Sequence, residues 1–307
     1  PRQEHGTVGI SSTKLAIIGG IIPNPDEGSS VPFNTTRLMQ IYDTKYNRWS
    51  SAADLPIAVN HPNFASHNGR IYLLGGLADS PDGAWRAFPE SWVYDTAKDT
   101  WNSIPAMPDQ EKRGSAAAGV YKDVIYLAGG MRTLNPIGTA GEQDTVAFVS
   151  AFDTKSMSWS TLPPLPEGRD HAGVSVVGHK MYVLGGRYRG QYKVKDTVFI
   201  LDLNHVDSGW KTSKARMPTP RGGVVSGTIQ GKVYIFGGEG NPEPGANGVF
   251  DQVEVFDTKT ESWKKLKPMK VPRHGGSGVA LGNAVYLPGG GWKEGGSPLA
   301  LLDAYYP

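Results

Sequence analysis

The 307 residues contain no cysteine. Disulfide bonds and thiolate metal sites are therefore excluded, although that absence does not choose a compartment. Runs of basic residues are missing too, and the formal net charge is only +2, so the electrostatic footprint of a nucleic-acid binder is absent. No apolar stretch approaches the length of a membrane-spanning helix. The chain opens on Pro1 with neither an initiator methionine nor a signal-peptide pattern, as a processed protein or a trimmed piece would. Phosphate-binding loops, nucleophile elbows and dinucleotide fingerprints have no counterpart in it. Glycine and proline are in excess, 40 and 23 of them, and they stand at regular places between apolar runs, where they mark turns rather than disorder.

Six apolar runs each end in a glycine pair: Gly19-Gly20, Gly75-Gly76, Gly129-Gly130, Gly185-Gly186, Gly237-Gly238 and Gly289-Gly290. Successive pairs are 56, 54, 56, 52 and 52 residues apart, which makes the chain a repeat architecture of six units. The run entering each pair, such as Lys180-Met-Tyr-Val-Leu, is rich in β-branched and aromatic residues and reads as a strand buried on both faces. Before it lies a strand of small residues, such as Gly173-Val-Ser-Val-Val, suited to the crowded region near an axis. After the glycines come a variable loop and a third strand closing on Tyr42-Asp43, Tyr94-Asp95, Phe152-Asp153, Leu201-Asp202, Phe256-Asp257 or Leu302-Asp303. A polar turn follows, and then a tryptophan opens a fourth strand: Trp49, Trp101, Trp159, Trp210 and Trp263. These rings are expected to fill the wedges between adjacent sheets.

The double glycine, the Tyr-Asp and the spaced Trp resemble the Kelch family of β-propellers, and the resemblance extends over the whole chain. It implies an all-β fold: one six-bladed Kelch-type propeller over 1–307 around a central channel. The blades are expected at approximately 1–55, 56–108, 109–165, 166–217, 218–269 and 270–307. The sixth unit stops at Tyr306-Pro307 without a tryptophan, so that blade is expected to lack its outer strand or to take it from residues preceding Pro1.

Blade connectivity brings the start of each inner strand and the loop after each glycine pair to one rim, where binding residues of rigid scaffolds concentrate. Sixteen residues before the pairs stand Gln3, Val59, Arg113, Arg169, Arg221 and Arg273; fourteen before stand His5, His61, Ser115, His171, Gly223 and Gly275. In an extended segment these two positions point the same way. Between them lie Glu4, Asn60, Gly114, Asp170, Gly222 and His274. A ring of Arg and His is therefore expected at the channel mouth, with Glu4, Asp170 and Glu239 as internal partners. Arginines at such positions also bond neighbouring blade backbone, which is expected to account for one or two of the four. The loops after the glycines add Trp85, Arg86 and Phe88, then Arg132, Glu142 and Asp144, then Arg187, Glu239, Phe250, Trp292 and Lys293.

The branches of the family imply different chemistry. Copper-radical oxidases of the galactose oxidase type need a cysteine crosslinked to a tyrosine, which excludes that reaction here. Plant specifier proteins hold iron with Glu-x3-Asp-x3-His, a pattern this chain does not contain. Kelch adaptors of ubiquitin ligases hold acidic peptides at an Arg-lined mouth; sialic acid mutarotases and some polysaccharide lyases hold acidic sugars. Likeness to secreted fungal Kelch proteins implies an extracellular location, and Asn34-Thr35-Thr36 adds one glycosylation sequon. The expectation is a monomeric, secreted propeller, needing no metal or other cofactor, that binds a small anionic ligand such as a uronic acid. Arg113, Arg169, Arg221 and Arg273 would hold the carboxylate, with Glu4, Asp170, Arg187, Glu239 and His274 around it. His171, His61 or His5 would act as base or acid in a non-redox lyase or epimerase step. The alternative is a non-catalytic module whose mouth receives an acidic peptide or protein partner.

Overall fold

The computed structural model describes residues 1–26, 29, 31–135 and 143–307, so the candidate loop charge Glu142 lies outside the described residues. Each apolar run becomes the second strand of an antiparallel sheet, with the small-residue strand on its axial side and the strand ending in Asp outside it. The innermost strands are Gly6–Gly9, Phe64–His67, Ala117–Tyr121, Gly173–Val177, Val225–Ile229 and Val279–Leu281. Each packs against the innermost strand of the next sheet, the sixth against the first, so the six sheets close into a propeller. Outer strands are present in five sheets, at Arg48–Ser51, Thr100–Ile104, Ser158–Leu162, Trp210–Thr212 and Ser262–Lys265. The sixth sheet has three strands among the described residues and ends on Leu302–Tyr305.

The tryptophan spacing has a geometric cause. The Asp that ends the third strand accepts backbone N–H groups of the following turn, as Asp153 Oδ1 does from Lys155 and Ser156. The turn then sets the aromatic and the Trp directly opposite one another, Tyr42 to Trp49, Tyr94 to Trp101, Phe152 to Trp159 and Phe256 to Trp263. Their ring centroids lie 4.8 to 5.1 Å apart. Trp101, Trp159 and Trp210 donate Nε1–H to Ala53, Pro105 and Pro163 of the preceding crossover, tying blade to blade.

The glycine pairs are required by a second inter-blade contact. Both glycines have positive φ, and a Cβ on Gly129 would stand 2.1 Å from the Arg169 carbonyl oxygen of the next blade. Gly130, Gly186, Gly238 and Gly290 donate N–H to the carbonyls of Arg169, Arg221, Arg273 and Arg2 at 2.6 to 3.0 Å. The last of these joins blade six to blade one.

One expectation about register is corrected here. Bridges pair Asn60 with Leu77, Gly114 with Met131, Asp170 with Arg187, Gly222 with Glu239 and His274 with Gly291, but in the first blade Gln3 with Ile21. The turn between its first two strands is a residue longer, closing where Ile10 donates to Lys14. Counting back from the glycines therefore slips by one: Arg2, not Gln3, is the equivalent of Arg113, and Glu4, not His5, is the equivalent of His61.

Candidate functional site

With that correction, one position of each blade forms a ring around the axis: Glu4, His61, Ser115, His171, Gly223 and Gly275. All six have the left-handed backbone, with φ between 49° and 63°. Each turns its N–H toward the ring residue of the preceding blade. His61 donates to Glu4, Ser115 to His61, Gly223 to His171, Gly275 to Gly223 and Glu4 to Gly275, at 2.6 to 3.0 Å. At the remaining junction His171 N–H donates to Ser115 Oγ at 3.2 Å. The ring is the narrow collar of the propeller.

The left-handed turn has a consequence for the arginines. It breaks the extended alternation, so the Arg two residues earlier does not share the direction of the ring side chain. All four expected mouth arginines, and Arg2, are buried within the blades. Arg113 donates to the carbonyls of Gly129, Glu111 and Leu127. Arg169 donates to Gly185 O, Thr197 Oγ1 and Glu167. Arg221 donates to Gly237 O, Thr219 O and Glu254. Arg273 donates to Val271 O and Leu287 O and pairs with Asp303 at 2.8 Å. None of the four is left to grip a carboxylate at the mouth; the expectation that one or two were structural extends to all. His5 is also corrected: it sits in the seam between blades six and one, with Nε2 3.1 Å from Pro288 O. Burial, then Arg2, pushes its pKa down to about 4.

Over the collar the structure gathers the other candidates. Arg187 is the guanidinium that reaches the axis: Nε donates to Asp170 Oδ1 at 3.2 Å and Nη1 to Glu239 Oε1. Glu239 also accepts from Gln191 at 2.8 Å and faces His274, whose Nδ1 is 3.1 Å away but off the line of a hydrogen bond. His274 Nε2 lies 2.9 Å from Lys293 O. The Gln3 amide nitrogen lies 3.3 Å from the same Nε2. Burial opposes a charge on His274, but Glu239 outweighs burial and raises its pKa to about 9. Burial would raise Glu239, yet His274 and Arg187 hold it well below the usual carboxylate range.

His171 and His61 are held the other way. His171 Nδ1 is 2.6 Å from Asp170 Oδ1, and His61 Nδ1 is 2.7 Å from Asn60 Oδ1. Asn60 spends its amide N–H on Thr35 Oγ1, so its oxygen is the group facing the imidazole. Burial, then Arg187, lowers both pKa values, that of His61 to about 3, so both rings are neutral near pH 7. Their Nε2 atoms face Glu4 Oε2 at 3.2 Å (His61) and 3.8 Å (His171).

Two hollows meet at this collar. The channel below it has a volume of about 390 Å³ and is lined by small residues such as Gly6, Ala118, Gly227 and Gly278. The pocket above it, about 190 Å³, is floored by Glu4, His61, His171, Arg187, Glu239 and His274 and walled by Phe33, Trp85 and Leu134. Trp85 reaches the pocket because the second and third strands of its sheet, Arg70–Asp79 and Trp85–Asp95, run on past the glycines. Gln3 and Asn60 entered the sequence reading only as occupants of their register, and Gln191 was not singled out. The readable clue to the collar was Gly223 and Gly275, whose repetition marks a position that needs positive φ.

The chain matches the family model described as KLHDC2/KLHL20/DRC7 Kelch-repeats domain over residues 137–291, and the Kelch motif over residues 60–108. It is 36% identical over 307 residues to Kelch-like protein terF of Aspergillus terreus, covering 100% of this chain and 65% of that protein. It is 25% identical over 276 residues to Kelch-like protein 25 of Xenopus tropicalis, covering 90% and 44% respectively. With alpha-scruin of Limulus polyphemus it shares 25% over 197 residues, or 64% and 21%. The chain thus spans 65% or less of the length of these relatives.

Proposed function

The chain belongs to the Kelch-repeat family, whose propellers typically serve protein interaction, and we propose that this one binds another polypeptide on its mouth face. The observation that carries this reading is a set of large apolar side chains left in water around the mouth: Val31 is 45% exposed, Tyr192 65%, Val271 38% and Trp292 46%. Aromatic side chains such as Tyr192 and Trp292 dominate the centres of protein interfaces. Val271 and Trp292 border a depression of about 430 Å³ together with Val249 and Pro272. Phe33 and Trp85 border another of about 660 Å³. Between them the cations of the floor are matched by carboxylates, so anchoring is apolar rather than a matter of net positive field. The acidic-sugar reading is weaker, because the four guanidiniums it relied on donate elsewhere.

The test uses Tyr192→Ala/Trp292→Ala beside Tyr46→Ala, which removes an exposed ring from the opposite face. Partners recovered from source cells with the wild-type chain are purified and titrated calorimetrically. The double variant is expected to lose at least about tenfold in affinity and Tyr46→Ala none. Equal binding by all three, or saturable heat with a uronic or sialic acid and with no polypeptide, would overturn the proposal.

A further inference from the structure

We propose that Glu4, His61 and His171 form a binding site for a divalent transition-metal ion on the propeller axis. Three residues from three blades present one ligand atom each, Glu4 Oε2, His61 Nε2 and His171 Nε2, and these lie within 4.8 Å of one another. Ligands bound at about 2.1 Å from a common ion stand roughly 3 to 3.5 Å apart, so the widest pair must draw in by no more than about 1.8 Å. Two imidazoles and a carboxylate suit zinc or ferrous iron, leaving further positions open.

The surroundings supply what metal-binding histidines need. Each imidazole is oriented through Nδ1, by Asp170 Oδ1 at 2.6 Å and by Asn60 Oδ1 at 2.7 Å. Such outer partners fix the tautomer and aim the Nε2 lone pair at the ion. Here the two Nε2 atoms and the Glu4 oxygen are turned toward one point. Arg187 does not occupy the point. Its Nη2 lies 2.7 Å from His171 Nδ1 and 2.9 Å from Nε2, which places it over the ring, since in the ring plane it would collide with Cε1. Asp170 and Glu239 are engaged by Arg187 and His274, whereas Glu4 faces two imidazoles and the amide of Gln3. The three ligands line both hollows, so the open positions face the mouth pocket and the channel.

The sequence reading expected no metal here, and counting back from the glycines placed His5, His61 and His171 at matching positions. The register slip of the first blade exchanges His5 for Glu4 and turns an all-imidazole set into a mixed one.

The test is equilibrium dialysis and calorimetry of the chelator-treated chain with Zn²⁺, and visible absorption with Co²⁺. One ion per chain is expected, with cobalt bands of low coordination number and a melting temperature that Zn²⁺ raises and chelator restores. Glu4→Gln keeps size and backbone bonds, and His61→Gln removes a ligand; each is expected to weaken Zn²⁺ binding at least about 100-fold with unchanged circular dichroism. The exposed group His179, Asp202 and His205 is the control for surface binding: His205→Ala should bind as wild type. Binding below about a tenth of an ion per chain, or binding lost with His205→Ala and kept in Glu4→Gln, overturns the proposal. If His61→Gln fails to fold, the wild-type cobalt spectrum and Glu4→Gln decide.

Discussion

Arg221 and Glu254 are both fully buried, with Nη1 2.6 Å from Oε2. The same guanidinium also holds the carbonyls of Gly237 and Thr219. Removing one partner of such a pair strands a charge in a dry wedge, whereas an exposed pair would cost little. Arg221→Ala is expected to lose about 3–5 kcal/mol in urea denaturation, and Arg221→Ala/Glu254→Leu to recover part of it. A loss below about 1 kcal/mol would mean water enters the wedge. His274 makes a pH-dependent contribution of the opposite kind. Its pKa is raised to about 9 in the folded protein, mainly by Glu239 against burial. The folded state therefore holds the proton more tightly than the unfolded chain does. That stability is present in full below the unfolded value near 6.5 and is lost as pH rises through about 9. The stability difference between wild type and His274→Gln should shrink by roughly 3 kcal/mol from pH 6 to pH 10. A constant difference would show that folding leaves the His274 pKa unshifted.

Glycine pairs and Asp-turn-Trp segments were legible because each is a local solution repeated around the ring. The pair permits positive φ and close approach of the next blade; the Asp-capped turn brings the aromatic and Trp rings into register. The direction of the arginines depends on one left-handed residue two positions further on, which Gly223 and Gly275 mark in two blades and no glycine marks in the others. Nothing in Arg113-Gly114-Ser115 or Arg169-Asp170-His171 announces that Ser115 and His171 have positive φ. The slip at Glu4 was hidden for a related reason: a turn one residue longer leaves the strand pattern intact while shifting what precedes it. The glycine argument can be checked by separating conformation from contact. Gly178 and Gly129 have similar φ, 60° and 68°, but a Cβ on Gly178 meets nothing within 4 Å, while one on Gly129 meets the Arg169 oxygen at 2.1 Å. Gly178→Ala should cost about 1 kcal/mol from backbone strain alone. Gly129→Ala should cost at least about 3 kcal/mol, or prevent folding, because the blades must part. Equal costs would place the whole requirement in the backbone and none in the seam.

Closure distinguishes one seam from the other five. Between consecutive blades a crossover chain holds the partners together, so a broken contact re-forms at high effective concentration. Among the described residues no crossover joins blades six and one, and their seam is held by packing and by hydrogen bonds that include the following. Glu4 donates to Gly275 at 2.6 Å, Gly290 to Arg2 at 2.9 Å and Arg2 to Leu299 at 3.0 Å. Thr7 N–H reaches Ser277 Oγ at 3.1 Å. The sixth sheet is also the one with three strands among the described residues, so less apolar surface backs that side. Gly130, Gly186, Gly238 and Gly290 make the same bond to the next blade's Arg position, and they differ in whether a crossover tethers it. Native-state hydrogen exchange isolates this difference, because local opening releases each amide separately. Gly290 is expected to exchange at least about tenfold faster than the other three, corresponding to about 1.4 kcal/mol less protection. Saturating Zn²⁺ should narrow the gap if the ion bridges Glu4 of blade one to His61 and His171, since binding to the closed ring alone raises the cost of opening it. Uniform protection of all four amides would mean that the propeller opens only by global unfolding, and that the seam between blades six and one is as strong as the rest.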